Sequence, residues 1–167
     1  MKGTVLLMAI FLVAGLCPAS AGESADTAWF DLENCIFCKN LTENPDLLDN
    51  MTWKDYDITN GIVTITTVGP EYKEAYLTAQ SKMEEIGRKM GTGQIDYSTA
   101  KMCGHCQAYG RLMQLGVTFD HVPTDVADIL IMTSPKPEVV AEIKSFAKKN
   151  EEAMAKMHAN EKRTDLE

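Results

Sequence analysis

The chain has 167 residues, a formal net charge of −8, 45% hydrophobic and 24% charged residues. That much apolar material excludes an intrinsically disordered chain and suffices for one compact domain or two small ones in close contact. The acidic balance argues against nucleic acid or an anionic membrane surface as partner and is compatible with binding cations.

In chain order, Met1-Lys2, the apolar run Val5 to Leu16, the helix-breaking Pro18 and the small-x-small stretch Ala19-Ser20-Ala21 predict a signal peptide over 1–21, cleaved after Ala21. The run is too short for a stable anchor, and no second stretch reaches spanning length, so no stable membrane span is expected. Leu16 stands where a lipidated Cys17 would need a small residue before it. The mature chain is therefore expected to be exported, to a periplasm or the outside, carrying Cys35, Cys38, Cys103 and Cys106.

Trp29 to Leu32 is a candidate edge strand. Cys35-Ile36-Phe37-Cys38 opens a short helical stretch from Cys38 to Leu48. The strand Thr52 to Ile58 follows, then a hairpin through Thr59-Asn60-Gly61, where Asn-Gly accepts positive φ, and a β-branched strand from Ile62 to Val68. A long helix starts near Pro70. Tyr72, Ala75, Tyr76, Ala79, Met83, Ile86 and Met90 form its apolar stripe, and Gly91-Thr92-Gly93 ends it. A linker runs to Met102. Cys103-Gly104-His105-Cys106 then opens a helix from Cys106 to Leu115. A strand Val117 to Val122, a turn at Pro123-Thr124-Asp125 and a strand Val126 to Thr133 follow. The last helix carries Val139, Val140, Ile143, Phe146, Ala147, Met154 and Met157 on one stripe and ends in a charged tail to Glu167.

The order repeats. The two Cys-x-x-Cys motifs are 68 residues apart, Thr52-Trp53 and Thr118-Phe119 are 66 apart, and Pro70-Glu71 and Pro137-Glu138 are 67 apart. Ile62 to Thr67 matches Ile129 to Ser134, and Glu84-Glu85 matches Glu151-Glu152, both at 67. Ordered matches at nearly constant offset predict a tandem duplication of a Cys-x-x-Cys–ββα unit, over 22–93 and 94–167, forming one globular unit. The expected class is α+β: an antiparallel sheet of at least four strands packed with helices. Apolar residues on both faces of the second strands point to cover on each face, by helices on one and a second subunit of a homodimer on the other. Equivalent points of a pseudo-twofold pair are candidates to converge, and the cysteine pairs are such points.

Three readings of the cysteines stay open. Four thiolates from two Cys-x-x-Cys pairs are a ligand set for a soft metal, zinc or copper(I), held by Cys35, Cys38, Cys103 and Cys106, or for an iron–sulfur centre. The 64 intervening residues mean that the fold must assemble such a site. Met102, Met154, Met157 and His158 are candidates to extend a copper-handling surface, against core packing as the alternative. Cys103-Gly104-His105-Cys106 is similar to the active-site motif of the protein disulfide isomerases. That resemblance implies Cys103 as nucleophile beside Cys106, with His105 favouring the thiolate and a partner thiol protein as substrate. It covers four residues. A thioredoxin fold also needs a buried strand before the motif, where Gln94 to Met102 is mostly polar, and a proline farther on than Pro123, only 17 residues after Cys106. The third reading is structural disulfides in an exported protein.

Lys39 and Gln107 follow the two motifs, so covalent c-type haem is not expected. No phosphate-binding glycine loop, nucleophile elbow or paired-histidine protease motif is present. His121 reads as a structural residue, and His158 as a helix-end residue favoured by the dipole. Asn40-Leu41-Thr42 and Asn50-Met51-Thr52 match the N-glycosylation pattern.

Overall fold

The computed structural model describes residues 28–164. The expected signal peptide lies outside the described residues, as does the side chain of His158. β1 (Met51–Ile58) and β2 (Gly61–Val68) form a hairpin, and β3 (Thr118–Pro123) and β4 (Asp128–Thr133) form a second. β2 and β4 pair antiparallel through Gly61↔Thr133 to Thr66↔Asp128, giving one four-stranded sheet in the order β1-β2-β4-β3. The α+β class and the antiparallel sheet are as expected. The central strands are rich in β-branched residues, which suit a pleated surface buried between neighbours. β3 ends on Pro123, at a sheet edge where the missing N–H breaks no ladder.

α1 (Lys73–Gly91), α2 (Gly104–Gln114) and α3 (Pro137–Thr164) carry the helical content. α3 lies against β1, β2 and β4 and against α2. Its predicted stripe faces the sheet: Val139, Ile143, Phe146 and Ala147 are buried, while Met154 and Met157 are half-buried. Val139, Ile143, Phe146 and Ala147 form the main core with Ile62, Leu112, Val117 and Met132. Full burial of an aliphatic or aromatic side chain contributes about 1.5–3 kcal/mol, so this cluster dominates the stability of the fold. The α1 stripe is less deeply buried, with only Ala79 fully enclosed. Tyr76 of α1 donates to the Asp128 carboxylate at 2.8 Å, and Gln80 donates to the same oxygen, tying the helix to the helical face of β4. Among the described residues, no helix is long and apolar enough to cross a membrane.

Four expectations are corrected. Trp29 to Leu32 forms no strand. Instead the carbonyls of Ala28 and Trp29 accept the Gly104 and His105 N–H groups at 3.0 and 2.9 Å, so this segment caps α2. The helical stretch from Cys38 shrinks to a 3-10 turn, Cys38–Leu41. Beyond it, Thr42 Oγ1 donates to the Lys39 carbonyl, Asn44 Oδ1 accepts from Asp46 N, and Pro45 has no N–H, so turns replace the helix. β4 starts at Asp128 rather than Val126, because Thr124 Oγ1 accepts the N–H groups of Val126 and Ala127 in a local turn. The first hairpin closes through Thr59-Asn60, but neither Asn60 nor Gly61 has positive φ. Gly61 is required sterically: a Cβ there would lie 1.8 Å from the Met132 carbonyl oxygen. Positive φ appears instead at Gly93 (73°), just past α1, where a left-handed residue ends the helix as predicted.

Candidate metal centre

The first cysteine pair sits in a loop held by local hydrogen bonds. The Asp31 carboxylate accepts the N–H groups of Glu33 and Asn34 at 3.2 and 2.8 Å, and the Asp31 carbonyl accepts that of Cys35. The chain then bends so that Cys38 N–H points at the Cys35 sulfur. Buried Asn40 fixes the bend, donating from Nδ2 to the carbonyls of Ile36 and Phe37 at 3.0 and 2.7 Å. Its amide is thereby closed to glycosylation in the folded chain. Asn50 is exposed, although its Nδ2 donates to the Asp46 carbonyl at 2.8 Å.

The second pair opens α2. Cys103 is the residue before the helix, in extended conformation, and Cys106 N–H points at the Cys103 sulfur. Each motif therefore aims one backbone amide at its first sulfur, an arrangement that stabilises thiolate. The two motifs are joined through the backbone, where Ile36 N donates to the Lys101 carbonyl at 2.9 Å.

The fold brings all four cysteines together. Their sulfurs lie within 4.8 Å of one another. Cys35–Cys106, Cys38–Cys103 and Cys38–Cys106 are each 3.5 Å apart, so all three contacts join one motif to the other. All four cysteines are free. Ideal tetrahedral coordination with metal–sulfur bonds of about 2.3 Å places sulfurs about 3.8 Å apart, inside the observed range. Cys35, Cys38 and Cys103 are 1%, 6% and 1% exposed, and Cys106 is half-buried. Leu32 and Phe37 pack against the cluster.

These thiols are not equivalent. The Cys106 thiol donates to Cys103, pulling its pKa from 9.0 to about 7 against the opposing effect of burial. Cys35 is held far below the ordinary thiol range by hydrogen bonds from Cys103 first, then Cys106 and Cys38. Cys106 is pushed far up, by its hydrogen bonding with Cys103 first, then with Cys35 and Cys38, and by burial. Cys38 is also raised, through Cys103 first. A cation held there would take the place of those protons and offset the combined thiolate charge.

His105 turns away to the other side of α2. Its ring lies between Phe30 and Phe146 (centroids 5.1 and 4.9 Å away, tilted by 36° and 34°) and meets Trp29 and Trp53 edge-on at 6.1 and 5.1 Å. Asn150 Oδ1 lies 2.9 Å from His105 Nδ1 and accepts from Trp29 Nε1 at 3.0 Å, while its Nδ2 donates to Asp55 at 3.3 Å. As Oδ1 only accepts, Nδ1 carries the imidazole proton. Burial pushes the His105 pKa down, favouring the neutral ring. His121 Nε2 pairs with Asp128 on the sheet.

Sequence reasoning missed Asn150, Trp29 and Asp55 as supports of this region. A signal for Asn150 was present: it falls four residues after Phe146, on the apolar stripe, where an asparagine needs buried partners.

No protein-family model matches the chain, and no curated protein or solved structure matches it.

Proposed function

We propose that this chain is an exported protein that holds one soft metal ion, zinc before copper(I), through Cys35, Cys38, Cys103 and Cys106. The observation that carries the proposal is the approach of four sulfurs from two distant motifs to within 4.8 Å. Such a compact set suits a mononuclear tetrahedral centre; an iron–sulfur cluster holds its cysteines farther apart around several metal atoms. Tetrahedral four-sulfur sets favour zinc, and a site with four protein ligands and no open position is structural. The ion in this reading closes the 28–50 segment onto α2.

The chain is read as a signal peptide over 1–21, removed after Ala21, followed by two units over 22–93 and 94–167 derived by duplication. Supporting the duplication are the two hairpins flanking the β2–β4 seam and their matched pairs, Thr52↔Thr67 and Thr118↔Thr133. The amide aimed at the first sulfur of each motif adds to this.

Disulfide exchange through Cys103 and Cys106 is the second reading, favoured by the position of Cys103 at the start of α2 with its pKa lowered to about 7. Three features favour metal over exchange: Cys103 is 1% exposed, the first amides of α2 are spent on Ala28 and Trp29, and the His105 Nδ1 proton faces Asn150 rather than sulfur.

The test is intact mass of the mature protein, purified without added metal or reductant, under native and denaturing conditions with thiol alkylation. One metal ion per chain and four alkylated cysteines after denaturation are expected. No metal, with the mass lowered by the hydrogens lost to disulfides, would overturn the proposal.

A further inference from the structure

The four sulfurs form one cluster but differ in their access to solvent. Cys35, Cys38 and Cys103 are buried, whereas Cys106, in the first turn of α2, is half-buried and is the cysteine of the four that solvent reaches. Oxidants select cysteines by thiolate character and access, and a metal-bound sulfur is held as thiolate. The spacing of the cluster also orders the pairing. Four cysteines allow three disulfide connectivities. Three sulfur–sulfur hydrogen bonds of 3.5 Å cross between the motifs, and among them Cys35–Cys106 and Cys38–Cys103 are the two that share no cysteine. That connectivity draws both of its bonds from pairs already in contact.

We propose that Cys106 is an oxidation site, at which a peroxide converts the metal cross-link into the disulfides Cys35–Cys106 and Cys38–Cys103. The step rests on zinc held by the four cysteines, as proposed above. The Cys106 thiolate attacks one peroxide oxygen and hydroxide leaves, giving a sulfenic acid. The Cys35 thiolate then attacks the Cys106 sulfur, and a second hydroxide leaves as the disulfide forms. With two of its ligands gone, zinc departs as the divalent cation, and a second peroxide oxidises Cys38 and Cys103 in the same way. The four thiolates lose four electrons to two peroxides, which end as four hydroxides. Both disulfides join the 28–50 segment to the start of α2, so the segment stays fastened after the ion has left. Pairing within each motif, Cys35 with Cys38 and Cys103 with Cys106, would lose that tether. In an oxidising compartment the exchange of one cross-link for another keeps the two parts of the chain together.

Titration of the zinc-loaded mature chain with hydrogen peroxide tests it, with released zinc followed by a chromogenic chelator and the products digested by trypsin without reduction. Cleavage after Lys39, Lys101 and Arg111 leaves each motif in its own peptide. The expected result is release of one zinc per chain and, at completion, the two peptides joined, with fragmentation assigning Cys35–Cys106 and Cys38–Cys103. In the first product, which carries a single disulfide, Cys106 is expected to be one of the bonded cysteines. Hydrogen exchange of the oxidised, zinc-free chain is expected to retain the protection around Cys35 and Cys38 that chelation of the reduced chain removes. Separate peptides, each closed on itself, would overturn the proposal, as would Cys106 left reduced in the first product or zinc retained against excess peroxide. A chain that takes up no zinc at the outset would overturn the metal reading itself, and the oxidation step with it.

Discussion

At the scale of single residues, the sulfur cluster and Asn150 do the most. Truncating any one cysteine leaves three sulfurs around a site shaped for four. Cys38→Ala is expected to abolish stoichiometric metal binding, read as metal per chain after dialysis; retention of a full equivalent would remove Cys38 from the ligand set. Asn150 serves Trp29, His105 and Asp55 together. Asn150→Ala strands three polar groups and is expected to cost about 3 kcal/mol in chemical denaturation, at the scale of buried unsatisfied groups. A loss of only a few tenths would show that water replaces the amide without penalty. Tyr109 packs on Phe119 with its ring centroid 5.0 Å away, and burial pushes its pKa from 10.0 to about 12. Because the folded value lies above the unfolded one, its contribution is full below pH 10 and is lost as pH rises from 10 towards 12. Denaturation midpoints should therefore fall less steeply across that range in Tyr109→Phe than in the parent, and equal slopes would contradict the assignment. The four cysteines were legible as a set from their spacing alone. The role of Asn150 was not: its place on the apolar stripe marks it as buried, but its partners depend on which side chains the fold brings to it.

At the scale of elements, the strands and long helices were legible because their patterns are strong. β-branched runs mark β2 and β4, and an apolar stripe at helical spacing marks α3. Short segments were less so. Trp29 and Phe30 carry strand-forming side chains, yet the Ala28 and Trp29 carbonyls cap α2 while the Trp29 and Phe30 rings pack around His105. That role exists only once α2 is in place. Gly61 was read as a turn residue, whereas its lack of a side chain allows β2 to approach the Met132 carbonyl. Gly61→Val should force the β2–β4 seam apart and cost about 3 kcal/mol or more in unfolding free energy, the scale of overpacking combined with lost ladder bonds. A change under about 1 kcal/mol would mean that the seam relaxes freely.

At the scale of the whole molecule, the metal reading adds a cross-link between the 28–50 segment and α2, beside the backbone hydrogen bonds they already share. The 28–50 segment has almost no regular structure of its own and is fixed by the cysteine cluster, the α2 cap and the Trp29 contacts. Metal removal should loosen this segment while the sheet and α3 persist on their own hydrophobic core. Hydrogen exchange of the chelated protein is expected to show lost protection near Cys35 and Cys38 and retained protection in β2, β4 and α3. Uniform loss across the chain would show instead that the ion is needed for the entire fold. Convergence of the motifs was anticipated from the repeat, but their distances were not, since 64 residues of sheet and helix decide them.

The most direct measurement is X-ray absorption at the metal edge of protein purified with its native ion. The account predicts one first shell of four sulfurs, at about 2.3 Å if the ion is zinc, with no metal–metal distance. A shell mixing sulfur with nitrogen or oxygen, or a second metal near the first, would contradict a single ion held by Cys35, Cys38, Cys103 and Cys106.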